Sequence, residues 1–255
     1  MALFDRILWG AKADPNILGF WLDGSRGKGL ITRDSDYDCV MLVRDGVLAE
    51  YKARYKKQPD PKIELRVKTL EQLQKHAAWG SDDEWDRYNY AHLKPLVDKT
   101  GRLSGIFAEK ASVPEAFRRK YVSGHLDGYI NEMYRSLKCL RDGQISGWRL
   151  HAAQSVTPLL KVLYGMHGRV PPFLKYLEWD LKNFPLEKLT MSPDELVGSI
   201  LKITTTGSVR EQQRLFGHME AMARGAWYDN VFESWGSRLA WIKSFRGKPA
   251  GRGVE

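Results

Sequence analysis

Cysteine is nearly absent: Cys39 and Cys139 are the only two in 255 residues. That argues against a disulfide framework, and no Cys/His spacing suggests a zinc site. Two reduced thiols fit a reducing compartment, so a cytoplasmic protein is expected. Long apolar runs are lacking too, since nothing approaches the ~18 residues that a membrane span needs. The first segment, MALFDRILWGAKAD, carries Asp5 and Arg6 inside its apolar stretch. It reads as a short amphipathic helix rather than a signal peptide. There is no internal repeat, and no low-complexity stretch beyond a Gly-rich basic end, IKSFRGKPAGRG. The six histidines are scattered and form no catalytic dyad with a nucleophile.

What is present describes a folded protein. Hydrophobic residues make up 43% and there are nine tryptophans, well outside the composition of disordered chains. The length suffices for one large or two modest domains. A net charge of +9 suits attraction to a polyanionic nucleotide or to nucleic acid. The basic residues are dispersed and no recognised nucleic-acid-binding module occurs, which weighs against a nucleic-acid partner without excluding one. Nothing in the sequence sets an oligomeric state.

Periodicity divides the chain in two. Residues 1–15 read as a helix, 17–23 and 38–43 as strands, and 45–58 as a helix before a Pro-rich loop. Lys62-Ile63-Glu64-Leu65-Arg66-Val67 alternates charged and apolar residues, a strand with one polar face. Thr69 with Gln72 three residues on forms a capping-box pattern, and a further helix is expected over 83–95. From about 112 strand signals vanish. Val113-Pro114-Glu115 opens a helix with proline in its first turn. Helical spacing then recurs in 125–141, 147–165, 171–182, 193–203, 208–224 and 227–244. The expected architecture is α+β: a mixed β-sheet with flanking helices over 1–110, an all-α helical bundle over 111–245, and a basic tail over 246–255.

The most informative segment is GFWLDGSRGKGLITRDSDYDCVMLV. An apolar run leads into Gly24-Ser25, and Asp36-Tyr37-Asp38 opens a second apolar run from Cys39 to Val43. Residues two apart on a strand share a face, so Asp36 and Asp38 are expected to project together. Paired carboxylates repel unless a cation lies between them. Mg²⁺ is commonly held by one or two carboxylates plus substrate phosphates, and a Gly-Ser turn offers N–H groups to a phosphate. Ser25 adds a hydroxyl. Arg26 and Lys28 either neutralise phosphate charge or sit in a solvated loop. Asp34 reads as an N-cap or surface residue.

An apolar residue, Gly-Ser, about ten residues, then Asp-x-Asp and an apolar strand resembles the signature of the nucleotidyltransferase superfamily, with its polymerase-beta-like fold. Within it, the helical C-terminal half is similar to that of aminoglycoside nucleotidyltransferases. The resemblance implies a magnesium-dependent transfer of a nucleoside monophosphate, AMP from ATP or from another nucleoside triphosphate, to a hydroxyl of a small-molecule acceptor. It implies two Mg²⁺ ions on Asp36 and Asp38, and triphosphate contacts at Gly24 and Ser25. A third carboxylate is expected on an adjacent strand, where Glu64 is the candidate base or ligand; a cross-strand ion pair is its plainer reading. The helical half is implied as a cleft wall. Asp127, Asn131, Tyr134, Arg135 and Lys138 form one polar stripe at helical spacing. It is either a solvated face, or a wall with Arg135 and Lys138 on phosphates and Asp127 or Glu132 on the acceptor. Arg149 beside Trp148 is a second basic candidate.

An aminoglycoside acceptor, being a polycation, needs an acidic pocket. Asp82-Asp83-Glu84-Trp85-Asp86, Glu178 and Asp180 are the candidates, although the first run also suits a helix N-terminus. The overall positive charge gives no support. Two alternatives stand beside this reading. One is transfer to a protein or RNA acceptor, as in antitoxin-like minimal nucleotidyltransferases. The other is a helical ribonuclease built on Arg119 and His125, in a stretch that reads as interrupted by a helix break.

Overall fold

The computed structural model describes residues 3–58 and 60–247. The chain divides into two compact units, Met1–Ser112 and Val113–Glu255, and the class is α+β. The outer part of the expected basic tail, from 248, lies outside the described residues. No described helix is long and apolar enough to cross a membrane.

The first unit is built on a four-stranded mixed sheet of order β3-β2-β1-β4, with β1 Ile17–Leu22, β2 Tyr37–Val43, β3 Ile63–Lys68 and β4 Val97–Asp98. β1 runs antiparallel to both β2 and β4, whereas β2 and β3 are parallel. A parallel pair needs a crossover, and helix α3, Leu48–Arg54, lies in it. Alternation sorts the side chains. Phe20, Cys39, Met41 and Leu65 pack on one face with Tyr51 of α3 and with helix α1, Leu3–Ala13. Trp21, Val40 and Leu42 pack on the other with Leu73 of α4 (Leu70–Lys75) and with Leu103 and Phe107 of α5 (Leu103–Lys110). β1 shows no apolar–polar alternation because both of its faces are buried. The capping box forms at α4: the Thr69 hydroxyl accepts from Gln72 N–H at 3.3 Å, and Thr69 N–H donates to Gln72 Oε1 at 3.2 Å.

Two expected helices of this unit differ. The 45–58 segment is helical only over Leu48–Arg54, after a 3₁₀ turn at Asp45–Val47. The 83–95 segment is a 3₁₀ helix over Glu84–Tyr90. The carbonyls of Tyr88, Asn89 and Ala91 accept from the buried Lys28 ammonium at 3.3, 3.1 and 2.7 Å, drawing the chain away from an α-helical ladder.

The second unit is all helical. Its central element is α6, Glu115–Arg141, followed by α7 Ile145–Gln154, α8 Val156–Met166, α9 Leu177–Asn183, α10 Pro193–Thr206, α11 Val209–Gly225 and α12 Asp229–Ser244. Val122, Leu126, Tyr129, Ile130, Met133 and Leu137 recur at helical spacing on α6 and join Leu159, Leu163, Ile203, Phe216 and Phe232 in one core. Pro114 caps α6 rather than entering its first turn.

The helix break expected near Gly124 is absent, because burial of Val122 and Leu126 on either side overrides the local glycine cost. Conversely, 147–165 is two helices meeting at Ser155: Pro158 has no N–H to offer the Gln154 carbonyl. The last helix is interrupted at Gly236, with φ +48°.

His125 lies on α6 edge-on to Tyr121, ring centres 4.5 Å apart. Burial first, and then the charge of Lys161, push its imidazole down to about 4. Unfolded histidine takes its proton near 6.5, so the neutral ring contributes fully above that pH, and its contribution is lost as pH falls toward 4. His125→Gln should therefore remove about 1–2 kcal/mol of acid-side instability, a figure reduced for the partial solvation of the ring. Urea midpoints of both proteins at neutral pH and near pH 4 test this, and identical pH slopes would count against it.

Candidate active site

β1 ends at Leu22, but its pairing extends one step: Asp23 N–H donates to the Asp38 carbonyl at 2.8 Å. Gly24 then turns with φ +60°, the left-handed region that glycine tolerates best. A Cβ at Gly24 would lie 2.2 Å from Asp38 Oδ2, so any side chain there would push that carboxylate aside. A Cβ at Gly27 would meet the Leu22 carbonyl at 2.1 Å, so the short helix α2, Gly24–Gly27, packs closely on the end of β1. The two halves of the motif are therefore in contact.

Asp36 is exposed in the loop before β2, which begins at Tyr37. The expected strand carrying both carboxylates is thus corrected: Asp38 is on the strand and Asp36 is on the loop. Arg26 ties that loop to α2. Its guanidinium donates to the carbonyls of Ser35, at 2.9 Å, and Asp36, at 3.1 Å, and covers the Tyr37 ring at 3.8 Å. Lys28 lies buried on its three carbonyls, over the Tyr88 ring. Neither of the two readings of these cations describes Lys28, which joins α2 to the 3₁₀ segment.

Glu64 is the register partner of Asp38 in the parallel pair, so the two share a face of the sheet. Its carboxylate is exposed, with Oε1 3.4 Å from Arg66 Nε of the same strand. That ion pair runs along β3, not across strands. Asp23, which sequence reasoning did not select, completes the row. It is 7% exposed and accepts from Trp21 Nε1 at 2.8 Å and Arg66 at 2.9 Å. Burial raises its carboxyl above the ordinary range, against the opposing pull of Arg66. Its place at the end of an apolar strand, directly before Gly-Ser, was the available signal.

Adjacent strands thus carry Asp23, Asp38 and Glu64 in one transverse row, with Asp36 just before it. Among the described residues no three His, Cys, Asp or Glu side chains gather into a metal cluster. Two carboxylates completed by phosphate oxygens need no such trio, and an all-oxygen donor set suits a hard divalent cation.

The remaining candidates belong to the second unit. Arg135 is exposed on α6, and Lys138 lies over the Tyr134 ring at 5.5 Å. The stripe that holds them is partly covered: Asp127 accepts from Trp235 Nε1 at 2.9 Å, and Tyr134 packs edge-on to Trp235 and Trp241. Glu132 bonds His151 at 2.7 Å, and Arg149 rests by Trp148. Asp180 is fully buried, bonded by Tyr164 at 2.8 Å and by Arg169. In the first unit Asp86 is bonded by Asn89 and lies 3.2 Å from His76. These two carboxylates are therefore structural, not walls of a polycation pocket. Arg119 donates to the Trp227 carbonyl at 2.9 Å, and six residues along one helix place His125 on a different side.

The clamp role of Lys28 separates from a phosphate role by stability. Lys28→Met leaves three carbonyls without their donor and should cost about 2–3 kcal/mol. Gly24→Ala should cost about 1–3 kcal/mol through its φ and its clash with Asp38. Urea unfolding measures both, and a Lys28→Met protein as stable as wild type would remove the clamp.

No family model matches the sequence, and no curated protein matches it. Among solved structures the chain is similar to a nucleotidyltransferase-like protein from Exiguobacterium sibiricum, at 10% identity and a TM-score of 0.40, over 94% of this chain and 75% of that one. A likeness this remote leaves the site to be judged on its own geometry.

Proposed function

We propose that the first unit moves a nucleoside monophosphate, AMP from ATP by preference, onto a hydroxyl of a small-molecule acceptor. The observation that carries this reading is the approach of Gly24 to Asp38, where a side chain would stand 2.2 Å from the carboxylate. A triphosphate resting on Gly24 and Ser25 would lie beside Asp38, with the row to Glu64 extending from it. The motif's resemblance to nucleotidyltransferases supports the same chemistry.

In the transfer, the acceptor oxygen forms a bond to the α-phosphorus and the bond to pyrophosphate breaks. The hydroxyl proton leaves to a base, for which Glu64 is the candidate. Catalysis of this kind is mostly positioning and charge stabilisation. Asp36 and Asp38 are the residues that would hold Mg²⁺, which supplies charge neutralisation for the entering and leaving oxygens. Arg26 contributes indirectly by fixing the loop that carries Asp36. For Arg135 and Lys138 a phosphate contact is a proposal to be tested by their own alanine variants.

The test is transfer of label from α-labelled ATP, with Mg²⁺, to aminoglycosides, proteins and tRNA in parallel. Label should pass to one acceptor class and fall by about 10²-fold or more in Asp38→Asn and Glu64→Gln, with unchanged melting curves. Transfer that survives Asp38→Asn would overturn the reading.

A further inference from the structure

Along the outer edge of β3, beyond Glu64, lies an open cavity of about 580 Å³, a volume suited to a ligand of nucleotide size. Lys52, Arg66, Lys68, Lys75 and His76 line it, with Asp83 the lone acid among the lining residues. Several of these charges are already answered: Lys75 by Glu71 at 2.6 Å, Arg66 by Asp23, and His76 by Asp86. Two features are not. Lys68 is half-buried and, among the described residues, makes no hydrogen bond or ion pair. Burial first, then the neighbouring Arg66, hold its ammonium below the usual lysine range, against the weaker pull of Asp23, Asp86 and Asp83. Arg66 Nε is buried and makes no hydrogen bond, its 3.4 Å approach to Glu64 being misaligned for one. A half-buried ammonium with no bonded anion therefore stands beside a guanidinium that Asp23 and Glu64 satisfy only in part. Lys52 adds an exposed charge with no ion pair among the described residues.

We propose that this cavity is a phosphate subsite, taking the phosphate of a nucleotide-sized phosphate ester on Lys68 and Arg66, with Lys52 at its rim. The Tyr55 ring and the His76 imidazole offer flat walls to the organic part of such a ligand. Phosphate binding here is independent of group transfer. That the ester is the acceptor, and hence an anion rather than a polycation, rests on the transferase reading. An anionic acceptor also agrees with Asp180 and Asp86 being held in internal bonds.

The experiment is calorimetric titration of the whole protein with pyrophosphate and with AMP, in the absence of divalent ions. Wild type should bind both. Lys68→Met should weaken binding at least tenfold and melt at the same or a higher temperature, because it removes a desolvated charge with no partner. Lys68→Arg should retain binding, and Lys52→Met should weaken it less. Binding of equal strength in wild type, Lys68→Met and Lys52→Met overturns the subsite. So does binding that appears only with Mg²⁺ and vanishes in Asp38→Asn, which would place the phosphate at Gly24-Ser25. Label transfer is measured separately, so loss of transfer with phosphate binding intact removes the transferase reading and leaves the subsite standing.

Discussion

The chain passes Asp38 with nothing but the Gly24 α-carbon between backbone and carboxylate, and the rest of the site is arranged around that approach. It requires a left-handed turn, which Gly24 supplies, and a strand end aligned to receive it, which the Asp23 to Asp38 backbone bond supplies. It also requires α2 to sit low on β1, where Gly27 leaves room. Each requirement is local, and together they bring the turn against the carboxylate. A side chain at Gly24 would strain the turn and displace the Asp38 carboxylate.

Three cationic side chains of this protein serve the interior rather than the surface. Lys28, Arg87 and Lys110 are all buried, and each places its donors on backbone carbonyls. Lys28 joins α2 to the 3₁₀ segment, Arg87 joins that segment to Ala77 and Glu109, and Lys110 reaches Gln74 and His76. Long cationic side chains can do this because their apolar stems pack while their heads satisfy carbonyls that irregular backbone leaves unpaired. These charges count toward the net +9 without facing solvent.

Three of the four strands were legible because alternation and apolar runs report directly on burial, whereas the two-residue β4 and the register were not. Strands at 17–22, 37–43 and 63–68 fall where apolar patterning puts them, and the Thr69–Gln72 box forms as its spacing requires. What was not legible depends on distant partners. The 83–90 segment has the composition of an α-helix, but Lys28, some sixty residues earlier, claims its carbonyls. Asp36 has the spacing of a strand residue, but Arg26 holds it in a loop. The Gly124 stretch looked like a break because local propensity is visible in sequence and the packing of Val122 and Leu126 is not. Asp23 escaped notice since a lone carboxylate beside a glycine resembles any turn. Burial and its bonds to Trp21 and Arg66 are what set it apart in the fold.

Arg66 links the two kinds of chemistry found on β3. On one side it is paired to buried Asp23 and lies along Glu64; on the other it opens into the cavity with Lys68. Glu64, Arg66 and Lys68 share a face, so within one strand the surface passes from acidic to basic. A cation is favoured at the Asp38–Glu64 end and an anion at the Lys68 end. The buried Asp23 carboxylate matters to this gradient because it partly neutralises Arg66 from beneath. Without it, the guanidinium would be free to pair fully with Glu64 and withdraw that carboxylate from any other partner. With it, Arg66 is shared and Glu64 stays exposed.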